Sequence, residues 1–208
     1  MRETVKVKIC GLTNLADAEA AVEAGADLLG FMFWSQSARR IEFAAAAEIS
    51  RRLPPQVLKV GVFVDAPVEE VRRAVELCGL NLLQFHGEEP PEYCLQFGVL
   101  SVKAFRVRDA ASLRRLPDYR THAWLLDACT PGRMGGTGEK FDWDLAAQAR
   151  ALGRPIFLAG GLTPENVGAA VAQVQPYGVD VSSGVERAPG LKDHAKLRAF
   201  IAAAKHKN

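Results

Sequence analysis

The sequence predicts a closed (βα)8 barrel, an α/β fold in one compact domain over residues 1–208. Three observations lead there. A short apolar run, a polar or glycine junction and an amphipathic segment recur eight times along the chain. The units average about 26 residues, which fits a strand, a turn and a crossover helix. The runs LLGFMF, VGVFV, LLQF and WLL are nearly continuous in apolar residues, as parallel strands buried on both faces are. An open doubly wound sheet uses the same units. Eight of them with no seam between halves, and polar or glycine signals after nearly every strand, favour closure.

Val5 to Ile9 alternates as the first strand, and Gly11-Leu12-Thr13-Asn14 turns into a helix through Ala24 that Gly25 stops. Asp27 to Phe33 is the second strand, followed by a helix from Phe43 to Leu53 that ends before Pro54-Pro55. Val57 to Val64 is the third strand, and Asp65-Ala66-Pro67 opens a helix through Cys78. Leu80 to Phe85 leads into a helix from Pro90 to Phe97, and Val99 to Phe105 into a short helix from Ala110 to Leu116. His122 to Leu126, a glycine-rich loop and a helix from Asp144 to Leu152 make the sixth unit. Pro155 to Ala159 is the seventh strand, with its helix starting at Thr163-Pro164 as N-cap and first helical residue. Gly178 to Val181 and a helix from Asp193 to Lys205 close the series.

Composition excludes several classes of function. Seventeen Arg and nine Lys, dispersed and balanced by 24 acidic residues, leave a net charge of +2, unlike a dedicated nucleic-acid binder. No apolar run approaches the roughly 18 residues of a membrane span, and MRETVKVKICG lacks a signal-peptide core. Cys10, Cys78, Cys94 and Cys129 are widely spaced, with no C-x-x-C and no zinc spacing, so reduced thiols in a cytoplasmic protein are expected. A disulfide or zinc scaffold is not expected.

In such a barrel the chemistry sits where strands end at their C-termini. Those junctions hold Cys10-Gly11, Trp34 to Arg40, Asp65, His86-Gly87-Glu88, Arg106, Asp127, Gly160-Gly161 and Ser182-Ser183-Gly184, with Gly135, Gly136 and Gly138 in the loop after strand six. The three glycine clusters let backbone N–H groups approach an anion, which points to a phosphorylated small-molecule substrate. Cys10 suits a base or nucleophile if its thiol faces the pocket, and otherwise a small buried hydrophobe. Asp127 ends an apolar strand, so it needs a partner or a task. A carboxylate capping the next turn is the bland alternative. Arg39 fits either a bidentate carboxylate clamp or half of a solvated charge pair. His86, standing alone, reads more simply as hydrogen-bonded structure than as a catalyst. The residues reach a thiol, a carboxylate and a phosphate pocket, but no reaction.

At these residues the chain resembles the phosphoribosylanthranilate isomerases of tryptophan biosynthesis. The resemblance runs through KICGLTN (8–14), GADLLGFMFWSQSARR (25–40), VGVFVD (60–65), LQFHGEE (83–89), LLDA (125–128), GGTGEKFDW (135–143), LAGGLTPENV (158–167) and DVSSGVERAPGLKD (180–193). It implies a compact barrel that carries out an Amadori rearrangement of N-(5-phosphoribosyl)anthranilate without cofactor or metal. It further implies Asp127 as general acid, Cys10 as general base and Arg39 near the anthranilate carboxylate. Gly135, Gly136, Gly138, Gly160, Gly161, Ser182, Ser183 and Gly184 would form the phosphate loops. Ser35 stands where many relatives carry proline, which implies a looser loop around Arg39. A phosphosugar isomerase of histidine biosynthesis would carry an aspartate at position 10, and a silent ligand-binding barrel would have no reason to keep both Cys10 and Asp127. Monomer and homodimer remain equally open.

Overall fold

Alternation along the strands sets the architecture of this computed structural model, which describes residues 4–128 and 143–206. Strands β1 (Lys6–Cys10), β2 (Leu28–Met32), β3 (Leu58–Phe63), β4 (Leu82–Phe85), β5 (Leu100–Val107), β6 (Ala123–Ala128), β7 (Ile156–Ala159) and β8 (Gly178–Val181) pair in chain order. Every pair is parallel, and β8 returns to β1 to close the barrel. Closure removes both free edges.

Successive side chains point to opposite faces of a strand, so each strand feeds two cores. Leu28, Val60, Leu82, Val102, Ala104, Ala123, Leu125, Phe157 and Ala159 fill the interior. Val7, Ile9, Leu29, Phe31, Leu83, Leu126, Leu158, Val179 and Val181 face outward into the layer shared with the helices. Those helices are α1 (Leu15–Glu23), α2 (Phe43–Arg52), α3 (Val68–Cys78), α4 (Trp143–Arg150), α5 (Val167–Val174) and α6 (His194–Lys205). Asn14 caps α1 by accepting from the Asp17 N–H, and Asp193 caps α6 by accepting from Ala195 and Lys196 N–H groups. Gly79 ends α3 in the left-handed conformation that costs glycine no Cβ clash.

Three local expectations are corrected. The segment after β4 is no helix from Pro90 to Phe97 but a single 3₁₀ turn, Tyr93–Leu95. Two prolines at its start remove N–H donors, and Phe85, Tyr93 and Phe97 pack as rings instead of following a helical period. The segment after β5, Ala110–Asp118, is wound as a 3₁₀ helix, started by a reciprocal Asp109–Ser112 cap and carrying Pro117. Before α5, Thr163-Pro164 lies in a turn, and Asn166 is the cap residue. There Asn166 Oδ1 accepts from the Thr163 N–H while its amide donates to the Gly161 carbonyl. The side chain is spent on shaping the loop after β7.

After β8 comes a short 3₁₀ turn, Ser183–Val185, and a two-stranded antiparallel strap, β9 (Glu186–Ala188) and β10 (Leu191–Lys192). The strap carries two charged groups back under the rim of the barrel.

Candidate active site

In β1 the pattern that turns Val7 and Ile9 outward turns Lys8 and Cys10 inward. Lys8 pairs in register with Asp180 of β8, and its ammonium donates to Asp180 Oδ1 at 2.8 Å. Cys10 lies opposite Gly30 of β2. A Cβ on Gly30 would stand 2.9 Å from Cys10 Sγ and 3.2 Å from Lys8 Nζ, so a glycine makes room for both groups. Burial pushes the Cys10 thiol up and Asp180 adds to that; the nearby Lys8 and Lys192 charges pull it down without reversing the direction. Cys78 has no such opposition, and Cys94 has only the charge of Lys103 against it. Burial pushes Cys78 up to about 11 and Cys94 up to about 12, the condition of unreactive thiols.

Asp127 follows the inward residues Ala123 and Leu125 in β6, so its carboxylate projects into the mouth. Its neighbour is His86, whose Nε2 lies 3.3 Å from Asp127 Oδ2. Gln84, also inward on β4, places its amide nitrogen 3.1 Å from His86 Nδ1. The backbone beside His86 is held by Glu89, which accepts from Gly87 N–H, Asp65 N–H and the buried Lys103 ammonium. Lys103 also donates to the Phe85 and Gly87 carbonyls. Alone in the sequence His86 reads as hydrogen-bonded structure; its 3.3 Å contact with Asp127 brings it into the candidate site.

Arg39 is neither free nor merely solvated. Its Nε and Nη2 form a forked pair with Glu186, at 2.9 Å to Oε1 and 2.7 Å to Oε2. That pairing uses the side edge of the guanidinium and leaves the Nη1–Nη2 end for a second carboxylate. Glu186 also accepts from Gly190 N–H and from Lys192 Nζ at 2.9 Å. The fully buried Lys192 donates in turn to the Cys10 carbonyl at 2.6 Å, tying the strap to the end of β1. Burial opposes ionisation of Glu186, but Arg39 and Lys192 outweigh it and hold the carboxyl below the usual range. The loop around Ser35 is closed by Ser37 N–H to Trp34 carbonyl and Arg40 N–H to Ser37 carbonyl bonds. Glu186 therefore supplies the fixation of Arg39 that the lost proline put in question.

Gly160 and Gly161 both take positive φ, at 83° and 66°. An added Cβ on Gly184 would collide with the Leu162 carbonyl oxygen, so the turns after β7 and β8 touch through this glycine. Gly161 and Ser183 are exposed, presenting backbone at the rim. Gly135, Gly136 and Gly138, with Cys129, lie outside the described residues. Among the described residues, no His, Cys, Asp and Glu side chains gather as a metal-holding group, and no helix is long and apolar enough to cross a membrane.

Residues 7–203 match the family model of N-(5'-phosphoribosyl)anthranilate (PRA) isomerase. The chain belongs to that family. The N-(5'-phosphoribosyl)anthranilate isomerase of Geobacter sp. (strain M21) is 58% identical over 200 residues, covering 96% of this chain and 98% of that protein. The crystal structure of the Thermotoga maritima phosphoribosyl anthranilate isomerase superposes with a TM-score of 0.92 at 46% identity, over 97% of this chain and 98% of that one. Another isomerase structure of the family, at TM-score 0.88 and 44% identity over 97% and 98% of the two chains, was solved with reduced 1-(o-carboxyphenylamino)-1-deoxyribulose 5-phosphate. The PRA isomerase fold is thus the eightfold barrel reached from the strand count. The sequence places Lys8 two residues before Cys10, but gives Asp180, Glu186 and Lys192 no role in the site beyond their motifs. For Lys8 a signal existed, because a lysine two residues before Cys10 on a strand must share its face.

Proposed function

We propose that this PRA isomerase family member converts N-(5'-phosphoribosyl)anthranilate to its open-chain ketose product in tryptophan biosynthesis, with Asp127 as general acid and Cys10 as general base. The observation that carries this is the placement of a thiol and a carboxylate at inward rim positions of β1 and β6, each with its own polar neighbour. Asp127 gives its proton to the furanose ring oxygen as the C1′–O bond breaks, leaving a protonated Schiff base. The Cys10 thiolate then takes the C2′ proton, and the C–H electron pair moves into the new C=C bond toward nitrogen. The two groups need opposite protonation states, and they stand in different surroundings: the buried Lys8–Asp180 ion pair beside Cys10, an imidazole contact beside Asp127.

The free end of the Arg39 guanidinium suits the anthranilate carboxylate. The substrate phosphate is assigned to Gly160, Gly161, Ser182, Ser183 and Gly184, together with the loop of Gly135, Gly136 and Gly138. Residues 1–208 on this reading serve one catalytic domain in the cytoplasm, where Cys10 stays reduced. The test is the decay of substrate fluorescence in Cys10→Ala and Asp127→Asn variants that retain the wild-type circular dichroism. Each is expected to lose at least about 100-fold in kcat, the scale of a proton-transfer group. Turnover near wild type in either variant overturns the assignment.

A further inference from the structure

We infer that Lys8 is a positioning residue for catalysis: its ammonium, pinned by Asp180 beside Sγ, is the counter-cation for the Cys10 thiolate in the proton-transfer step. The inference rests on the reading of Cys10 as the base and adds the group that makes it one.

Cys10 is only 7% exposed, and a thiolate so deeply placed needs a compensating charge from the protein, since water cannot supply it. The charged groups that bear on Cys10 are few. On its own strand stands Lys8, from β8 Asp180, from β10 Lys192, and from the loop after β2 Arg39. Arg39 and Lys192 are both committed to Glu186, and Lys192 meets Cys10 through the carbonyl and not the sulfur. Asp180 carries the wrong sign to favour a thiolate. Among the described residues, Lys8 alone combines the right sign, the same strand face and a place beside Sγ over Gly30.

Asp180 has a complementary task. A lone buried ammonium would shed its proton to escape desolvation. The 2.8 Å bond to Asp180, with both side chains buried, keeps Lys8 charged and stops its chain from swinging away from the sulfur. Thiolate, ammonium and carboxylate then form a row across β1 and β8. When the thiolate accepts the C2′ proton it becomes a neutral thiol, and the Lys8–Asp180 pair is left self-compensated. The site need not reorganise between the two states.

The experiment follows alkylation of Cys10 by iodoacetamide as a function of pH, with the modified site mapped by mass spectrometry, alongside the pH profile of kcat. Lys8→Met should raise the midpoint of the Cys10 alkylation profile by about one unit or more, the usual effect of an adjacent opposite charge. The acid limb of kcat should move up with it, so that activity at neutral pH falls about tenfold or more and recovers on the alkaline side. Lys8→Met leaves Asp180 buried without its partner and could disturb folding. The double variant Lys8→Met/Asp180→Leu removes both charges, and the same upward shift is expected there. An alkylation midpoint unchanged from wild type in the folded variants overturns the inference. An active Cys10→Ala enzyme would instead refute Cys10 as base, whatever the alkylation profile does, so the two failures are told apart.

Discussion

His86 Nε2 sits 3.3 Å from Asp127 Oδ2, and Gln84 holds the other ring nitrogen at 3.1 Å. The imidazole is the side chain that meets this carboxylate among the described contacts. A polar contact of this kind contributes about 0.5–1.5 kcal/mol. His86→Ala is therefore expected to lower kcat by roughly 2- to 10-fold. KM should change far less if, as proposed, Asp127 is the acid and the ring only orients it. Steady-state kinetics separate the two, and a rise in KM with unchanged kcat would contradict this role. Gln84→Leu, which removes only the ring's own support, should show a smaller loss in the same direction.

Glu186 joins Arg39 to Lys192, so its loss should be felt twice. Glu186→Gln leaves the buried Lys192 ammonium without a counter-charge, at a cost of about 3 kcal/mol in unfolding free energy. It also frees Arg39 to turn away from the mouth. Urea unfolding checks the first consequence. A KM increase larger than any fall in kcat checks the second.

The close approach of the two turns at Gly184 makes a sharper test of the rim. Any side chain there meets the Leu162 carbonyl, which is backbone and cannot step aside. Gly184→Ala should destabilise by about 1–3 kcal/mol, as overpacking does, and should weaken substrate binding by spreading the turns after β7 and β8. A variant with wild-type KM and melting temperature would show that these turns move independently.

Acid sensitivity should follow from carboxylates far from the reaction. Burial raises the Asp17 carboxyl, but the Lys192 N–H, His194 and Asn14 more than reverse this and hold it low. Asp27 is likewise raised by burial and held low by Lys205, the Val7 N–H and Lys6. A depressed folded-state value contributes stability that is complete above the unfolded value near 3.9 and lost as pH falls through the folded one. Unfolding free energy should then be flat with respect to these groups at pH 5–7 and decline below about pH 4. Asp17→Asn should be less stable than wild type at neutral pH, with the gap closing as the pH falls through the acid range. A gap constant over that range would mean that Asp17 contributes nothing through its charge.

The architecture and the two groups proposed to react are legible along the chain because they depend on local pattern. Strand runs such as LLGFMF declare burial on both faces, glycines such as Gly25 and Gly79 mark helix ends, and strand ends in a barrel converge on one rim. Cys10, Asp127 and Arg39 could therefore be singled out by position. The pattern from Pro90 to Phe97 predicts a helix where only a 3₁₀ turn, Tyr93–Leu95, forms, because ring packing against Phe85 overrides periodicity; the short helix expected from Ala110 to Leu116 is present, wound as 3₁₀ to Asp118. What no local pattern holds is partnership across the closed sheet. Lys8 meets Asp180 because β1 closes onto β8, 172 residues away. Arg39 meets Glu186 across 147 residues, and His86 meets Asp127 because the mouth is small enough for β4 and β6 to face each other. Hydrogen bonding and desolvation act over a few ångströms in space, whatever the distance along the chain. These partnerships therefore exist only once the barrel has closed, and with them the charge environment of Cys10.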